Sequence, residues 1–248
     1  MQFQQQGGGG HYQQTVASAS VDERSSFLVR TYLHLVGAIF AFVAIEAALF
    51  ATGIGQTLAE IAWSPERPWM WLVFLAGFMG VSYVADRWAR SDTSIGMQYG
   101  GLILYTVAEA ILFCPLVATA MAIAVQQTPG DPYSILSKGA IITVVLFAGL
   151  TGVVLLTRKD FSFLRSFLMF GFFAALIMIV FAVATGAHLG LWFMWAMVVL
   201  AAGSILFNTS NVLHHYRTDQ HVAAALNLFA SFALLLWYVI MILMNSRD

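Results

Sequence analysis

Seven long apolar runs alternate with short polar segments along this chain. A helix needs about 20 apolar residues to cross the hydrocarbon core of a bilayer, and each run is close to that length. The runs are too long and continuous for barrel strands, and only a helix satisfies its own backbone hydrogen bonds in lipid. The sequence therefore predicts an all-α polytopic membrane protein with seven transmembrane helices, at residues 28–51, 69–85, 101–124, 136–157, 164–185, 191–213 and 222–244.

The polar segments suggest a single membrane domain. The longest irregular connections, 52–68 and 86–100, are too short to separate two domains, so residues 23–248 are expected to form one seven-helix unit. Residues 1–22 are rich in Gln and Gly and lack both the positive region and the early apolar region of a signal peptide. This composition predicts a disordered tail.

Positive charge is unevenly divided between the two sets of alternate loops. Eight of the eleven Lys and Arg residues fall on the side of the N-terminus, and three fall on the other side. Loops rich in Lys and Arg remain in the cytoplasm. The N-terminus and the tail are therefore expected to be cytoplasmic.

Composition excludes several classes of protein. Hydrophobic residues make up 60% of the chain and charged residues 9%, whereas soluble domains are about a quarter charged. A net charge of -1 gives no basic surface for nucleic acid, and a single cysteine excludes an internal disulfide. His214, His215 and His221 match no standard metal-site spacing, and no nucleophile-elbow, metalloprotease or nucleotide-binding motif is present. We expect no enzyme activity, metal or cofactor.

Two carboxylates lie inside predicted spans, where an ionisable group needs a partner or water. Glu46 is in the first span, and Glu109 is near the middle of the third. Each is a candidate to coordinate an ion or accept a proton; the alternative is a protonated acid bonded to a neighbouring helix. Pro115, six residues beyond Glu109, removes the hydrogen bond to the carbonyl of Ile111.

Polar side chains form stripes on the last two spans. Polar groups in lipid seek each other across helices, so these stripes should face inward and meet. They could act as structural hydrogen bonds or line a hydrated path. Ser204, Asn208 and Asn211 lie on the sixth span, and His215 continues their helical spacing just beyond it. The seventh span carries Asn227 and Ser231.

The segment LTGVVLLTRKDFSFLRSFLMFG, residues 150–171, resembles the signature of the Bax inhibitor/YccA family. RTYLHLVGAIF (30–40), ILYTVAEAI (103–111) and ILFNTSNVLHH (205–215) are similar to the first, third and sixth spans of that family. The resemblance extends over residues 24–245. It implies a bundle of seven helices with the last helix near the centre.

The resemblance implies one of two functions. Family members are described as acid-sensitive calcium-leak channels or as stress regulators, and bacterial YccA-like members restrain the membrane-anchored AAA protease FtsH in the inner membrane. Glu109 matches the acid of the third span. Channel-type members carry an aspartate in the sixth span and another in the seventh, where this chain has Asn208 and Ser231. Neither residue can ionise.

Two hypotheses follow. The protein could regulate another membrane protein, such as an FtsH-type protease, through helix contacts and its tail. Alternatively, it could leak calcium or protons through the bundle. A secondary transporter is less favoured, because no matched pair of Gly- or Pro-broken segments occurs in two halves. The candidate ion or proton path comprises Glu109, Asn208, Ser231, Asn211, Asn227 and Glu46.

Overall fold

The computed structural model describes residues 15–91 and 94–246, and this part of the chain is almost entirely helical. It has no β-strand beyond one isolated bridge, between Thr15 and Arg217. The eight helices are α1 (Val21–Ala51), α2 (Ile54–Ala62), α3 (Met70–Ala89), α4 (Ile95–Gln127), α5 (Ser134–Thr157), α6 (Leu164–Thr185), α7 (Leu191–His214) and α8 (His221–Asn245).

All seven predicted spans coincide with long helices, and the all-α fold is confirmed. Six helices, α1 and α4 to α8, are long and apolar enough to cross a membrane. Helix α3 is also long, but it carries Asp86 and Arg87 near its end and is not among these six. The count of seven crossings therefore remains a prediction. The segment 52–68, predicted to be irregular, contains the short helix α2 instead.

Helix α8 is at the centre of the bundle, as the family resemblance implies. It packs against α1, α3, α4, α5 and α7. Most of its side chains are buried, including Leu228, Phe229 and Leu235, none of which has accessible surface. Among the described spans α8 is the most buried, which shows that the other helices surround it.

The start of α1 and the α7–α8 loop lie on the same face of the bundle, here called the N-terminal face. The Val16 amide donates to the Tyr216 carbonyl at 2.9 Å, and the Val16 side chain is completely buried. Arg24 holds the preceding segment by donating to the carbonyls of Val16 at 3.1 Å and Ala17 at 2.8 Å. Ser20 and Glu23 form a capping box that starts α1.

The predicted disordered tail, residues 1–22, overlaps this ordered segment. Residues 15–20 have a defined course against the α7–α8 loop, and α1 already begins at Val21. Residues 1–14 lie outside the described residues, and for them the tail stays a prediction.

Helices α3 and α4 approach each other closely at Gly101. A Cβ atom at this position would lie 2.5 Å from the Ala85 carbonyl oxygen and 2.6 Å from the Ala89 nitrogen, closer than any side chain can approach. The missing side chain therefore lets the two backbones touch, as small residues do between membrane helices. This contact fixes the half of α4 that carries Tyr105 and Glu109.

Candidate functional site

The polar stripes of α7 and α8 meet, as the sequence predicts. The Asn208 amide donates to the Ser231 hydroxyl at 2.8 Å and, at longer range, to the Ser204 hydroxyl and the Asn227 carbonyl, each at 3.3 Å. The Ser204 and Ser231 hydroxyls are also hydrogen bonded to each other at 2.8 Å. Ser204 and Ser231 are buried. We call these four residues, Ser204, Asn208, Asn227 and Ser231, the α7–α8 cluster.

The α7–α8 cluster continues through the Asn227 side chain towards the N-terminal face. The Asn227 amide donates to the Tyr216 hydroxyl at 3.1 Å and to Asp86 at 3.4 Å. Asp86 forms a salt bridge with Arg90 at 2.8 Å, and the Arg90 guanidinium lies 5.9 Å from the centre of the Tyr216 ring. Burial raises the pKa of Tyr216, which keeps this phenol uncharged. The polar chain therefore ends in a compensated ion pair.

Asp86 is a site residue that the sequence analysis missed. Its position at the boundary between the second apolar run and the following polar segment suggested a loop residue. The available signal was the spacing of Asp86 and Arg90, which places opposite charges on one helical face. Only the fold reveals that α8 presents Asn227 to that face.

Glu109 faces the interior of the bundle rather than lipid. It is 5% exposed and lies one turn after Tyr105 on α4. Tyr105 in turn packs against Phe78 of α3 and Phe229 of α8. The second carboxyl oxygen, Oε2, has no hydrogen-bond partner among the described residues. Glu109 is therefore a buried acid with unused hydrogen-bonding capacity.

The six predicted site residues do not form one continuous site. Asn208, Asn227 and Ser231 belong to the α7–α8 cluster, whereas the structure gives Glu109 no hydrogen bond to it. Glu46 lies near the end of α1 that is remote from the N-terminal face, where it accepts a hydrogen bond from the Cys114 thiol at 3.9 Å.

Asn211 also stands apart from the cluster, because its side chain makes no hydrogen bond within the described part of the chain. Its backbone carbonyl, by contrast, accepts from the amides of His215 and Tyr216 at the end of α7.

The family-like segment around Asp160 docks the α5–α6 loop onto α7. The Asp160 carboxylate accepts from the Ser162 amide at 2.9 Å and from the Ser210 hydroxyl at 3.2 Å, while the Phe161 amide donates to Ser210 at 2.9 Å. The Ser162 amide is the main cause of a lowered pKa for Asp160. His215 lies 4.0 Å away and forms an ion pair when protonated. This loop completes the N-terminal face.

The chemistry of the α7–α8 cluster is hydrogen bonding between neutral groups. Amides and hydroxyls bind no proton near neutral pH, and the nearest charges, Asp86 and Arg90, neutralise each other. Across residues 15–91 and 94–246, no three His, Cys, Asp or Glu side chains are grouped to hold a metal ion.

Fold and site together define a multi-pass α-helical membrane protein with a polar cluster on its central helix. The chain belongs to the Bax inhibitor family: the family model for the inhibitor of apoptosis-promoting Bax1 matches residues 24–248. This match covers nearly the whole bundle.

Curated relatives come from bacteria, fungi and animals. The chain is 27% identical to the modulator of FtsH protease YccA of Escherichia coli over 165 residues, which cover 64% of this chain and 68% of that protein. It is 26% identical to protein lifeguard 4 of Mus musculus over 228 residues, 88% of this chain and 84% of the relative. It is 24% identical to Bax inhibitor 1 of Schizosaccharomyces pombe over 230 residues, 92% of this chain and 79% of the relative.

Proposed function

We propose that this protein regulates a membrane-anchored quality-control protease of the FtsH type. The observation that carries the proposal is the similarity to YccA, which is named as a modulator of FtsH protease. We also propose that the protein resides in a bacterial inner membrane, because one relative is named inner membrane protein YccA of Escherichia coli. Its N-terminus is proposed to be in the cytoplasm, because Lys and Arg are concentrated on that side.

The geometry of the α7–α8 cluster supports a regulator more than an acid-gated channel. A gate that opens with pH needs a group whose charge changes at the gate. The corresponding positions here are Asn208 and Ser231, joined by a neutral hydrogen bond of 2.8 Å. A regulator that acts through its surface needs no such titration, only a stable bundle.

The N-terminal face offers a surface for the partner. It combines the segment held by Arg24, the α7–α8 loop and the α5–α6 loop docked by Asp160. Residues 1–14 lead into this segment, whose Val16 contacts the α7–α8 loop. We infer that the tail and this face together form the contact with the protease.

Co-purification with the protease in mild detergent tests the proposal. We expect enrichment of the protease with the full chain, and slower degradation of a membrane substrate when the two proteins are reconstituted together. A chain lacking residues 2–14 keeps the Val16 and Arg24 contacts and should lose most of the effect. Enrichment no greater than with an unrelated seven-helix protein would count against the regulatory function.

A second candidate function, a proton or cation leak, is favoured by one observation. Glu109 is buried inside the bundle and has an oxygen without a partner among the described residues, as expected of a group on an ion path. The test is calcium and proton flux into liposomes that contain the purified protein alone. A leak through this group should disappear in Glu109→Gln.

The same liposomes separate the two candidate functions. We expect little acid-sensitive calcium flux in the unmodified protein, and some flux after the double change Asn208→Asp and Ser231→Asp, which creates a titratable pair. Strong acid-sensitive flux that persists in Glu109→Gln would mean that the gate lies elsewhere in the bundle.

A further inference from the structure

A cavity of about 580 Å³ lies between α1, α4, α5 and α8, towards the face opposite the N-terminal face. Its size is within the range of cavities that hold small organic ligands. The lining is mainly apolar and includes the aromatic rings of Phe42, Phe50, Phe113 and Tyr133. Val43, Ala47 and Ala140 belong to the lining and are also exposed on the outside of the bundle. The cavity is therefore accessible from the surface.

Glu46 is the only acidic or basic side chain among the described residues that line this cavity. It is 8% exposed. Its Oε2 atom accepts a weak hydrogen bond from the Cys114 thiol at 3.9 Å, and its Oε1 atom has no partner within the described chain. A buried carboxyl oxygen without a hydrogen bond is unfavourable, so the site is incomplete without a donor.

A carboxyl group beside aromatic rings is suited to an organic cation. An ammonium head can donate hydrogen bonds to the carboxylate, and its positive charge is attracted to the faces of aromatic rings. A hydrocarbon tail would contact the apolar remainder of the lining. A calcium ion would need six or more oxygen ligands, which one carboxylate does not supply. A neutral acyl chain would fill the space but would leave Oε1 unpaired.

We propose that this cavity binds lipophilic organic cations, with an ammonium head on Glu46 and an apolar tail against the rings of Phe42 and Phe113. The ligand enters from the surface between α1 and α5, past Ala47 and Ala140. This site is separate from the α7–α8 cluster and from the N-terminal face. It does not depend on the protease or on ion conduction.

Decylamine and decanol are matched probes, because they share the tail and differ in the charge of the head. Binding to the full chain in nanodiscs can be counted by native mass spectrometry and followed by the shift in thermal unfolding temperature. We expect decylamine to bind and to raise this temperature, and decanol to do neither at the same concentration. Decanol binding as tightly as decylamine would overturn the proposal.

Two variants locate the site, and a third serves as a control. Glu46→Gln removes the carboxyl group that pairs with an ammonium head, at nearly constant shape, and should weaken decylamine binding by about tenfold or more. Glu109→Gln changes the other buried acid, which is not in the lining, and should bind normally.

Ala140→Leu fills the cavity and leaves Glu46 intact, so it tests the site even if Glu46→Gln folds poorly. Decylamine binding that survives in Ala140→Leu, or that is unchanged in a folded Glu46→Gln variant, would refute the assignment.

Discussion

Removing the Asn208 amide should loosen the contact between α7 and the central helix. In Asn208→Ala the donor to Ser231, Ser204 and the Asn227 carbonyl is lost, while the Ser204–Ser231 hydrogen bond remains possible. Both serine hydroxyls therefore keep a partner. The cost is limited to the hydrogen bonds of the amide and to the small void left by its truncation.

The size of the loss follows from the geometry. The amide nitrogen carries two hydrogens, so at most two of its three contacts are made at full strength. Hydrogen bonds between membrane helices contribute about 0.6 kcal/mol on average and at most about 1.7 kcal/mol. We expect Asn208→Ala to lower the free energy of unfolding by about 1–2 kcal/mol, most of which should be coupled to Ser231.

Unfolding in mixed micelles with increasing SDS measures this loss, and a double-mutant cycle with Ser231→Ala measures the coupling. Asn211→Ala is the matched control: it removes an amide from the same helix that makes no side-chain hydrogen bond among the described residues, and should change stability by less than about 0.5 kcal/mol. Equal losses for Asn208→Ala and Asn211→Ala, with no coupling to Ser231, would refute the reasoning.

Three further predictions concern the packing and the N-terminal face. Gly101→Ala should destabilise the bundle by about 1–3 kcal/mol because its Cβ would collide with the Ala85 carbonyl. Gly100→Ala, whose Cβ would lie 3.8 Å from its nearest neighbour, should not; SDS unfolding compares the two, and equal stability would contradict the close approach. Arg24→Ala frees the carbonyls it holds, so limited proteolysis should cut ahead of α1 faster, and an unchanged rate would show that the segment is held by other contacts. The pKa of Asp160 is lowered on folding, so its contribution to stability is present above the pKa of the unfolded state, about 4, and is lost as pH falls through the still lower folded value. Asp160→Asn should reduce the fall in the free energy of unfolding between about pH 4 and lower pH, measured by SDS unfolding at several pH values. A fall of unchanged size would exclude Asp160 as its cause.

Long apolar runs in the sequence specify most of this fold. A run of about 20 apolar residues has few alternatives to a spanning helix, and the predicted spans coincide with helices for that reason. Helix α2 was not predicted, because Ile54–Ala62 is short and lies between turn-forming residues. The predicted end of the second span, just before Asp86, was wrong, because α3 continues to Ala89. Charged residues near a helix end can belong either to the loop or to the last turn of the helix.

The candidate site was predictable only in part. Polar side chains at helical spacing on two apolar helices have a strong reason to meet, which placed Asn208 and Ser231 together. Nothing in the spacing distinguishes Asn211 from Asn208, because a small rotation of α7 decides which amide faces α8. The cavity beside Glu46 was also hidden, since it arises from how four helices pack rather than from the pattern of any one of them.

The distribution of charge determines which part of the bundle can respond to its surroundings. The α7–α8 cluster is uncharged, and its nearest ionic pair, Asp86 with Arg90, is compensated and lies towards the N-terminal face. Moving α7 relative to α8 would break several neutral hydrogen bonds without gaining an interaction from a proton or a cation. We therefore expect the contact between α7 and α8 to be insensitive to protonation and to cations at this cluster. Exposed titratable groups such as Asp160 and His215 lie instead at the N-terminal face, where a change of charge alters loop contacts rather than helix packing, and where we expect a regulatory partner to bind.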